Sequence, residues 1–235
     1  MFLFGGKKTF NDAAFFSGAT DWHCHILPGV DDGFRTLEDS LEALSLYEQA
    51  GFQTVWLTPH IMEDIPNTTD SLRQRYAELK AAYGGPLSLR LASENMLDSI
   101  FRDRLASGDV LPYDGRRLLV ETSYFNPPFD LWGMLSSVKS AGYFPVLAHP
   151  ERYLYMGRED YRRLVDMGVL LQLNIGSLFG MYGDQAYENS HWLLESSMYS
   201  LCGTDLHRIQ SFQNLLKVKV KRSLLGRLEK LKLFE

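Results

Sequence analysis

Two histidines and an aspartate near the beginning of the chain have the types and the spacing of metal ligands. His23 and His25 lie two residues apart, and Asp32 follows in a glycine-containing turn. Side chains at positions i and i+2 of a β-strand leave the same face, so both imidazoles can bind one ion if residues 20–25 form a strand. A His-x-His pair alone is weak support for a metal site, so the prediction depends on the remaining histidines.

Five of the six histidines follow or end short apolar runs that are typical of buried strands. Besides the first two, these are His60, His149 and His207. His191 instead lies in a polar, helix-like stretch. One histidine at a strand end is more often structural than a ligand, but five in such positions predict that the strand ends converge on one site.

Four acidic residues accompany these histidines. Glu94 and Glu121 each follow an apolar run, and Asp205 lies two residues before His207. The predicted site therefore combines five imidazoles and four carboxylates: His23, His25, Asp32, His60, Glu94, Glu121, His149, Asp205 and His207. Crowded carboxylates repel one another unless cations lie between them. Nitrogen and oxygen ligands without thiolates suit manganese, iron or zinc, and this set is large enough for two or three ions.

A site of this kind suits the hydrolysis of a phosphate ester. Divalent ions lower the pKa of a bound water and present hydroxide to an electrophile. The positive charge of three such ions would exceed the negative charge of four carboxylates. The remaining positive charge favours a phosphate dianion over a neutral ester or amide as the substrate. Arg152 can bind phosphoryl oxygens through two parallel N–H bonds, or it can form a salt bridge to a neighbouring acid. Arg208 and Arg35 are further candidates for binding the phosphate.

The elements that must position these residues alternate along the chain. Predicted strands cover residues 20–25, 53–58, 87–92, 118–122, 143–148, 169–173 and 200–203. Predicted helices cover residues 37–50, with Thr36 as N-cap and Gly51 as the stop, and 70–83, 129–142, 158–168 and 184–198. The alternation predicts an α/β fold, a single-domain distorted (β/α)7 TIM-like barrel over residues 1–235, with residues 1–18 as an N-terminal extension. The active site of such a barrel lies at the carboxyl ends of its strands.

Composition and charge narrow the classes of protein. The formal net charge of −5 argues against a nucleic-acid binder. We find no segment with the apolar length of a membrane span, no secretory signal in the first residues, and two cysteines that build no disulfide framework. We therefore expect a cytoplasmic protein that is not embedded in a membrane. The basic tail from Phe212 predicts the solvated face of a terminal helix or, alternatively, a docking surface for an acidic partner or the inner membrane surface.

Four motifs in order along the chain resemble the PHP (polymerase and histidinol phosphatase) superfamily. They are Asp21-Trp22-His23-Cys24-His25 with Leu27-Pro28-Gly29-Val30-Asp31-Asp32-Gly33, Thr58-Pro59-His60, His149-Pro150-Glu151-Arg152-Tyr153, and Gly203-Thr204-Asp205-Leu206-His207. The first and third motifs are similar to those of the bacterial metal-dependent protein tyrosine phosphatases of capsule and exopolysaccharide operons. The match extends from about residue 20 to residue 210, nearly the whole chain.

The resemblance implies the PHP fold with a trinuclear site, in which manganese is the favoured ion and iron or zinc are alternatives. It assigns the nine ligands to three ions: His23, His25, Glu94 and Asp205 to the first, Glu94, Glu121 and His149 to the second, and Asp32, His60 and His207 to the third. Arg152 would bind the phosphate. Asp98 or Asp31 could replace either glutamate, because the motif around Glu94 is less distinctive.

The resemblance also implies the reaction and the partner. The chain would hydrolyse phosphotyrosine in proteins through a metal-activated water and without a covalent phosphoenzyme. The leaving tyrosinate would take its proton from a histidine-bound water or from His60, and the sequence leaves this choice open. The phosphotyrosine-bearing partner would be a cognate membrane tyrosine kinase that regulates polysaccharide synthesis or export.

Four alternative functions fit parts of the sequence. The same fold could act on a small phosphate monoester such as histidinol phosphate, or it could be a metal-stabilised binding subunit without catalysis. A metal-dependent amidohydrolase shares the His-x-His pair, but it usually has a bridging lysine, which no strand end here provides. Cys202 and Arg208 have the Cys-x5-Arg spacing of thiol phosphatases, but the charge of Asp205 inside that loop opposes both phosphate binding and a thiolate.

Overall fold

Short strands alternate with helices over residues 7–229 and 231, the part of the chain that this computed structural model describes. The strands are β1 (Lys8–Thr9), β2 (Thr20–Cys24), β3 (Thr54–Leu57), β4 (His60–Ile61), β5 (Ser88–Leu91), β6 (Glu94–Met96), β7 (Arg117–Glu121), β8 (Phe144–Ala148), β9 (Leu170–Asn174), β10 (Tyr199–Gly203) and β11 (Lys219–Val220). The helices are α1 (Leu37–Ala50), α2 (Thr69–Ala82), α3 (Phe101–Ser107), α4 (Leu131–Ser140), α5 (Arg158–Asp166), α6 (Asp184–Glu195), α7 (Ile209–Leu216) and α8 (Arg222–Leu228). The seven predicted strands and the five helices predicted between residues 37 and 198 are confirmed, with ends that differ by a few residues.

Helix α1 begins and ends where local chemistry predicts. The Thr36 hydroxyl accepts a hydrogen bond from the amide of Asp39 over 3.1 Å, which satisfies one of the free N–H groups of the first turn. Gly51 closes the helix in the left-handed conformation, with φ at 92°, and its amide donates to the carbonyls of Tyr47 and Glu48. Glycine adopts this conformation without a Cβ penalty, so the stop is encoded by one residue.

The parallel strands form two sheets whose ends are linked by backbone hydrogen bonds. The larger sheet has the order β10-β9-β8-β7-β6-β4, and the smaller has the order β2-β3-β5. The amide of Asp205 donates to the carbonyl of His23 over 2.8 Å, and the amide of His25 donates to the carbonyl of Leu206 over 2.9 Å. Strand β2 therefore adjoins the segment that follows β10. All neighbours within both sheets pair in parallel, so the carboxyl ends lie at one edge of a single α/β domain.

Breaks in the chain directly after β3 and β5 set the position of two site residues. Thr58 and Pro59 separate β3 from β4, because proline has no N–H to donate to the ladder. A similar gap separates β5 from β6, and the amide of Glu94 donates to the carbonyl of Pro59 over 3.0 Å across it. His60, the first residue of β4, lies directly opposite Glu94, the first residue of β6. The two side chains therefore meet at the edge of the sheet.

Two hydrophobic clusters support the strands. The larger cluster lies between the strands and the helices and includes most of the buried apolar residues. The smaller cluster contains Trp22, Trp56, Ala92, Tyr113, Leu119, Val146, Ala148 and Leu201. Its two indole rings are stacked with centroids 5.8 Å apart, and the ring of Tyr113 packs edge-on against both. These strand residues pack among themselves and brace the sheets from within, since aromatic rings bury large areas.

The first and last strands of the described part of the chain pack together. Strand β1 pairs with β11 in antiparallel register, and Phe10 and Phe16 of the predicted N-terminal extension are buried. The tail is not the single terminal helix predicted, because β11 separates α7 from α8. Residues 1–6 of the predicted extension and the basic residues at positions 230 and 232 lie outside the described residues. Within the described part of the chain, none of the helices combines the length and the apolar composition needed to cross a membrane.

Candidate metal centre

The nine predicted ligands come together at the carboxyl edge of the parallel strands. Seven are buried, while His207 is half-buried and Asp32 is exposed. Ligand atoms converge in three groups: His23, His25 and Glu94; His60, Glu94 and Glu121; and His25, Asp32, His60 and His207. Three of the residues occur in two groups each, so the groups form one continuous cluster. Asp205 and His149 lie directly beside these groups.

The first group surrounds one carboxylate oxygen of Glu94. The Nε2 atoms of His23 and His25 are 3.0 Å apart, and they lie 3.1 Å and 3.3 Å from Glu94 Oε2. The Oδ1 atom of Asp205 lies 3.4 Å from His23 Nε2 and 3.3 Å from His25 Nε2. Four donor atoms from three strand ends therefore surround one small volume. This is the set that the resemblance implies for the first ion.

Glu94 and His60 each contact two groups. The second oxygen of Glu94, Oε1, lies 3.0 Å from His149 Nε2, so the carboxylate lies between His149 and the first group. His60 Nδ1 lies 2.8 Å from Glu121 Oε1 and 3.2 Å from Glu94 Oε2, while its Nε2 lies 3.5 Å from Asp32 Oδ1. Sequence reasoning grouped the two glutamates with His149 and missed the contact of both with His60. The reason is that β4 and β6 pair only after the break at Pro59.

Two close atoms in the cluster make no hydrogen bond. His60 Nδ1 and Glu121 Oε1 are buried and 2.8 Å apart, but neither has a hydrogen-bond partner among the described residues. A buried polar atom without a partner costs about 1–3 kcal/mol, so such atoms in a native site need an explanation. A cation between nitrogen and oxygen lone pairs would satisfy both atoms. The donor set therefore fits divalent metal ions.

The histidines stabilise the central carboxylates as anions. Burial would raise the pKa of Glu94, but the charges of His23 and His60 hold that pKa well below its ordinary value. The pKa of Asp205 is likewise lowered against the effect of burial, mainly by His23. Burial and the neighbouring His25 would lower the pKa of His60, but Glu94 and Glu121 raise it to about 9. The buried carboxylates of this cluster therefore need positive charge close to the histidine ring nitrogens.

Two residues orient the first histidine pair from behind. Gln172 Oε1 lies 2.7 Å from His23 Nδ1, and Asp31 Oδ2 lies 2.8 Å from His25 Nδ1. Partners of this kind fix the ring orientation and the tautomer of a metal-binding histidine. Sequence reasoning missed Gln172, although a glutamine inside the apolar run of β9 was a usable signal. Asp31 was considered as a ligand, but it contacts the ring nitrogen that faces away from the cluster.

Asp98, the other alternative ligand, and Arg35, an alternative phosphate-binding arginine, lie away from the cluster. Asp98 accepts a hydrogen bond from the amide of Glu63 over 2.8 Å and does not belong to the cluster. Arg35 lines a separate small cavity beside α2. Arg208 is exposed and lines the cavity in front of the cluster.

Glycines allow two of the ligand-bearing segments to approach closely. A Cβ atom on Gly203 would lie 2.4 Å from the Cβ of His23 and 3.0 Å from its backbone nitrogen. A Cβ atom on Gly33 would lie 2.2 Å from the carbonyl oxygen of His25. Real Cβ atoms do not approach backbone this closely, so both positions require glycine for the motifs to pack together.

A buried carboxylate anchors the turn that carries His149 and Arg152. Glu151 Oε1 accepts hydrogen bonds from the amide of Asn174 and the hydroxyl of Ser177, and its Oε2 accepts one from the hydroxyl of Tyr199 over 2.9 Å. These partners hold the 3₁₀ turn Pro150–Arg152 against β9 and β10. His149, just before it, has a left-handed φ of 34°, which costs free energy and needs such support.

A second buried carboxylate anchors the loop that carries Asp205. Asp21 Oδ1 accepts hydrogen bonds from the amides of His23 and Thr204, and its Oδ2 accepts one from the hydroxyl of Tyr47 over 2.7 Å. Asp205 itself has a left-handed φ of 52°. The structure therefore uses Asp21 to support a strained residue of the cluster.

Arg152 forms the salt bridge predicted as one of its two alternatives, and it also lines the cavity in front of the cluster. Its Nη1 atom donates to Asp205 Oδ2 over 2.7 Å, and its guanidinium lies between the rings of Tyr124 and Tyr182. The same residues line a cavity of about 470 Å³ that opens in front of the cluster. Other lining residues include Asp32, His60, His149, Met181, Leu206, His207, Arg208 and Phe212. The cavity is large enough for a small aryl ester and has the cluster as its floor.

The thiol at Cys202 is not part of this site. Cys202 is buried in the larger hydrophobic cluster and does not line the cavity. Burial raises the pKa of its thiol well above the ordinary value, which opposes formation of a thiolate nucleophile. The geometry agrees with the rejection of thiol chemistry from the sequence.

Comparison with known proteins gives a consistent set of relatives. The profile of the family described as capsular polysaccharide synthesis, CpsB/CapC, matches residues 19–221. The tyrosine-protein phosphatase YwqE of Bacillus subtilis is 29% identical over 199 residues, which cover 81% of this chain and 78% of YwqE. The tyrosine-protein phosphatase CpsB of Streptococcus agalactiae serotype V is 25% identical over 208 residues, which cover 80% of this chain and 83% of CpsB.

Solved structures agree with these relatives. A chain from the structures of YwqE of Bacillus subtilis and CpsB of Streptococcus pneumoniae, described as unique metal-dependent tyrosine phosphatases, matches with a TM-score of 0.77 and 26% identity. The match covers 92% of this chain and 94% of that one. A phosphotriesterase homology protein of Escherichia coli matches over 92% of both chains with a TM-score of 0.53 and 12% identity, a likeness of fold alone.

Proposed function

The chain belongs to the CpsB/CapC family of capsular polysaccharide synthesis, and from that premise we propose that it is a metal-dependent protein tyrosine phosphatase. The observation that carries the proposal is the convergence of nine nitrogen and oxygen ligands at the floor of a cavity that Arg152 also lines. Relatives named as tyrosine phosphatases match over most of their length, which favours phosphotyrosine over histidinol phosphate as the substrate. A binding subunit without catalysis would not need the complete ligand set.

We assign the nine ligands to two or three divalent ions, with manganese as the favoured metal and iron or zinc as alternatives. Glu94 would be the ligand shared between ions, because its Oε2 atom faces His25 and its Oε1 atom faces His149. We assign His60 to the ligands rather than to acid catalysis, since both of its ring nitrogens face carboxylates. When bound, the ions supply an activated water and neutralise charge on the phosphoryl group.

The protein side chains bind and orient the substrate. Arg152 donates N–H groups to the phosphoryl oxygens, while Asp205 holds the guanidinium by its other edge. Tyr124 and Leu206 line the cavity and exclude water from the phenyl ring. Binding the transferring group between a cation and a fixed guanidinium stabilises the charge that develops in the transition state.

The finer fold and the cellular setting are also part of the proposal. We infer that the two sheets form one distorted seven-stranded (β/α)7 barrel, in which β4 and β6 continue β3 and β5. The hydrogen bonds between the ends of β2 and the segment after β10 support closure. We further propose that the chain acts in the cytoplasm on a phosphotyrosine-bearing protein, namely a cognate membrane tyrosine kinase. The net charge of −5 disfavours a nucleic-acid substrate.

A phosphatase assay on a phosphotyrosyl peptide tests the proposal. We expect activity that is lost with a chelator, returns with manganese or a similar ion, and falls about 10³-fold in His149→Ala, because metal ions contribute several kcal/mol to such reactions. Cys202→Ser is the control and should keep its activity. Loss of activity with Cys202→Ser and indifference to the chelator would overturn the mechanism. A kcat/KM that is higher for histidinol phosphate than for the peptide would overturn the assignment of phosphotyrosine as the substrate.

A further inference from the structure

The guanidinium of Arg152 is enclosed on three sides. Its central carbon lies 4.4 Å from the ring centroid of Tyr124 and 4.0 Å from the ring centroid of Tyr182. Asp205 accepts from its Nη1 atom over 2.7 Å. A guanidinium over two aromatic rings is held by cation–π attraction and by stacking. Arg152 also lines the cavity in front of the cluster, so an anion in that cavity can accept from the N–H groups that Asp205 does not occupy.

Tyr182 lies on a short glycine-containing turn that places its ring against Arg152. The turn Gly180–Gly183 follows the 3₁₀ turn Ile175–Phe179, and both of its glycines adopt left-handed φ angles, 75° and 90°. Gly176 lies under the ring, because a Cβ atom there would be 3.1 Å from Tyr182 Cε2. The Nδ2 atom of Asn174 donates to Asp205 Oδ2 over 2.9 Å. The path of this turn and the close approach to Gly176 therefore place the Tyr182 ring on Arg152, while Asn174 holds Asp205, the acidic partner of Arg152.

We propose that Tyr182 is a positioning residue that holds Arg152 in the orientation needed to bind the phosphoryl group. The identity of the bound phosphoryl group rests on the proposed function, whereas the packing of Tyr182 on Arg152 does not depend on it. A free arginine loses rotamer freedom when it binds an oxyanion, and a stacked arginine has lost it already. Tyr182 acts on binding of the phosphoryl group through Arg152, without contacting the reacting atoms.

Tyr182 is a better site for the test than Tyr124. The ring of Tyr124 also packs against His149, with centroids 5.7 Å apart, so its removal would disturb a proposed ligand. Tyr182 is 38% exposed, and truncation there leaves no large buried cavity. Tyr187 offers a matched control, because it is 44% exposed, packs against the ring of His191 and lies outside the cavity of the cluster.

The kinetic test is a double-mutant cycle with a phosphotyrosyl peptide and the manganese-loaded protein. We expect Tyr182→Ala to raise KM about tenfold with kcat changed less than about threefold, and Tyr182→Phe to restore KM because the ring remains. In an Arg152→Ala background, Tyr182→Ala should change KM less than about twofold, since two residues that act together are not additive. Tyr187→Ala should match the parent. Equal losses from Tyr182→Ala with and without Arg152 would overturn the proposal.

Two further measurements separate this inference from the proposed function. The dissociation constant of inorganic phosphate for the manganese-loaded protein should rise about tenfold in Tyr182→Ala, even if the phosphotyrosyl peptide is not hydrolysed. In the metal-free protein, the NMR signal of the Arg152 Nε–H should move toward the position of an unstacked arginine in Tyr182→Ala and stay in place in Tyr182→Phe. An unchanged phosphate affinity, or an Nε–H signal that Tyr182→Ala leaves in place, would refute the positioning role.

Discussion

Two pairs of buried carboxylates in this chain have opposite surroundings. Glu94 and Asp205 lie among histidines, which hold the pKa of each well below its ordinary value. Asp21 and Glu151 are as deeply buried, but burial dominates and raises the pKa of each. The first pair lies within the ligand cluster, and the second lies behind the segments that carry it.

The partners of the two pairs explain the difference. Neutral donors, namely hydroxyl groups and backbone amides, hold Asp21 and Glu151 in place. Such hydrogen bonds do not depend on a bound ion. Glu94 and Asp205 instead have titratable nitrogens as neighbours, so a metal ion competes with protons for the same positions. The carboxylates that support the site and those inside the ligand cluster are therefore stabilised by different partners.

Replacing Glu94 by glutamine should have the largest effect. The amide keeps the shape but removes the negative charge that faces both ligand groups, so we expect kcat/KM on a phosphotyrosyl peptide to fall at least about 10³-fold. The melting temperature of the metal-free protein should change by only a few degrees. Glu63→Gln, at an exposed carboxylate, is the control. An active Glu94→Gln protein would show that the cluster does not need its bridging charge.

Replacing Glu151 by alanine should mainly cost stability. Three donors lose their acceptor in a buried position, so we expect the free energy of unfolding of the metal-free protein to fall by about 2–4 kcal/mol in urea denaturation. Glu151→Gln keeps an acceptor for the amide of Asn174 and should lose about 1 kcal/mol. If Glu151→Ala kept its stability and lost only activity, Glu151 would belong with the reactive cluster.

Replacing Tyr47 by phenylalanine should have the smallest effect. Asp21 loses one of its donors but keeps the amide and the hydroxyl of Thr204, so we expect a loss of about 1–2 kcal/mol. Activity should stay within about twofold, because the loop that carries Asp205 remains anchored. A fall in activity as large as that of Glu94→Gln would remove the distinction between scaffold and cluster. Tyr187→Phe, at an exposed ring, serves as the reference for both measurements.

Local signals in the sequence predicted much of the fold. The N-cap at Thr36 and the stop at Gly51 act within one helical turn, so the bounds of α1 were readable. The seven apolar runs predicted seven strands, and each run contains a strand of the structure. The breaks that create β4 and β6 were not predicted, because Pro59 acts on a ladder whose partner strand is more than thirty residues away. The terminal helix was predicted as one piece for the same reason, since β11 forms only by pairing with β1.

The sequence alone was sufficient to predict which side chains meet at the candidate site. Histidines and carboxylates at strand ends predicted all nine members of the cluster, and the repeated alternation placed them at one edge. That inference needs only the period of a strand and the parallel order of neighbours.

The contacts that pair these side chains with their partners became visible only in the folded structure. Gln172 contacts His23 across 149 positions of sequence, and Tyr182 packs on Arg152 from a separate turn. Neither contact follows from spacing, because each depends on the order of strands in the sheet and on the path of a loop. Chain connectivity encodes capping and periodicity over a few residues, whereas the packing of distant segments selects the partners that orient a ligand.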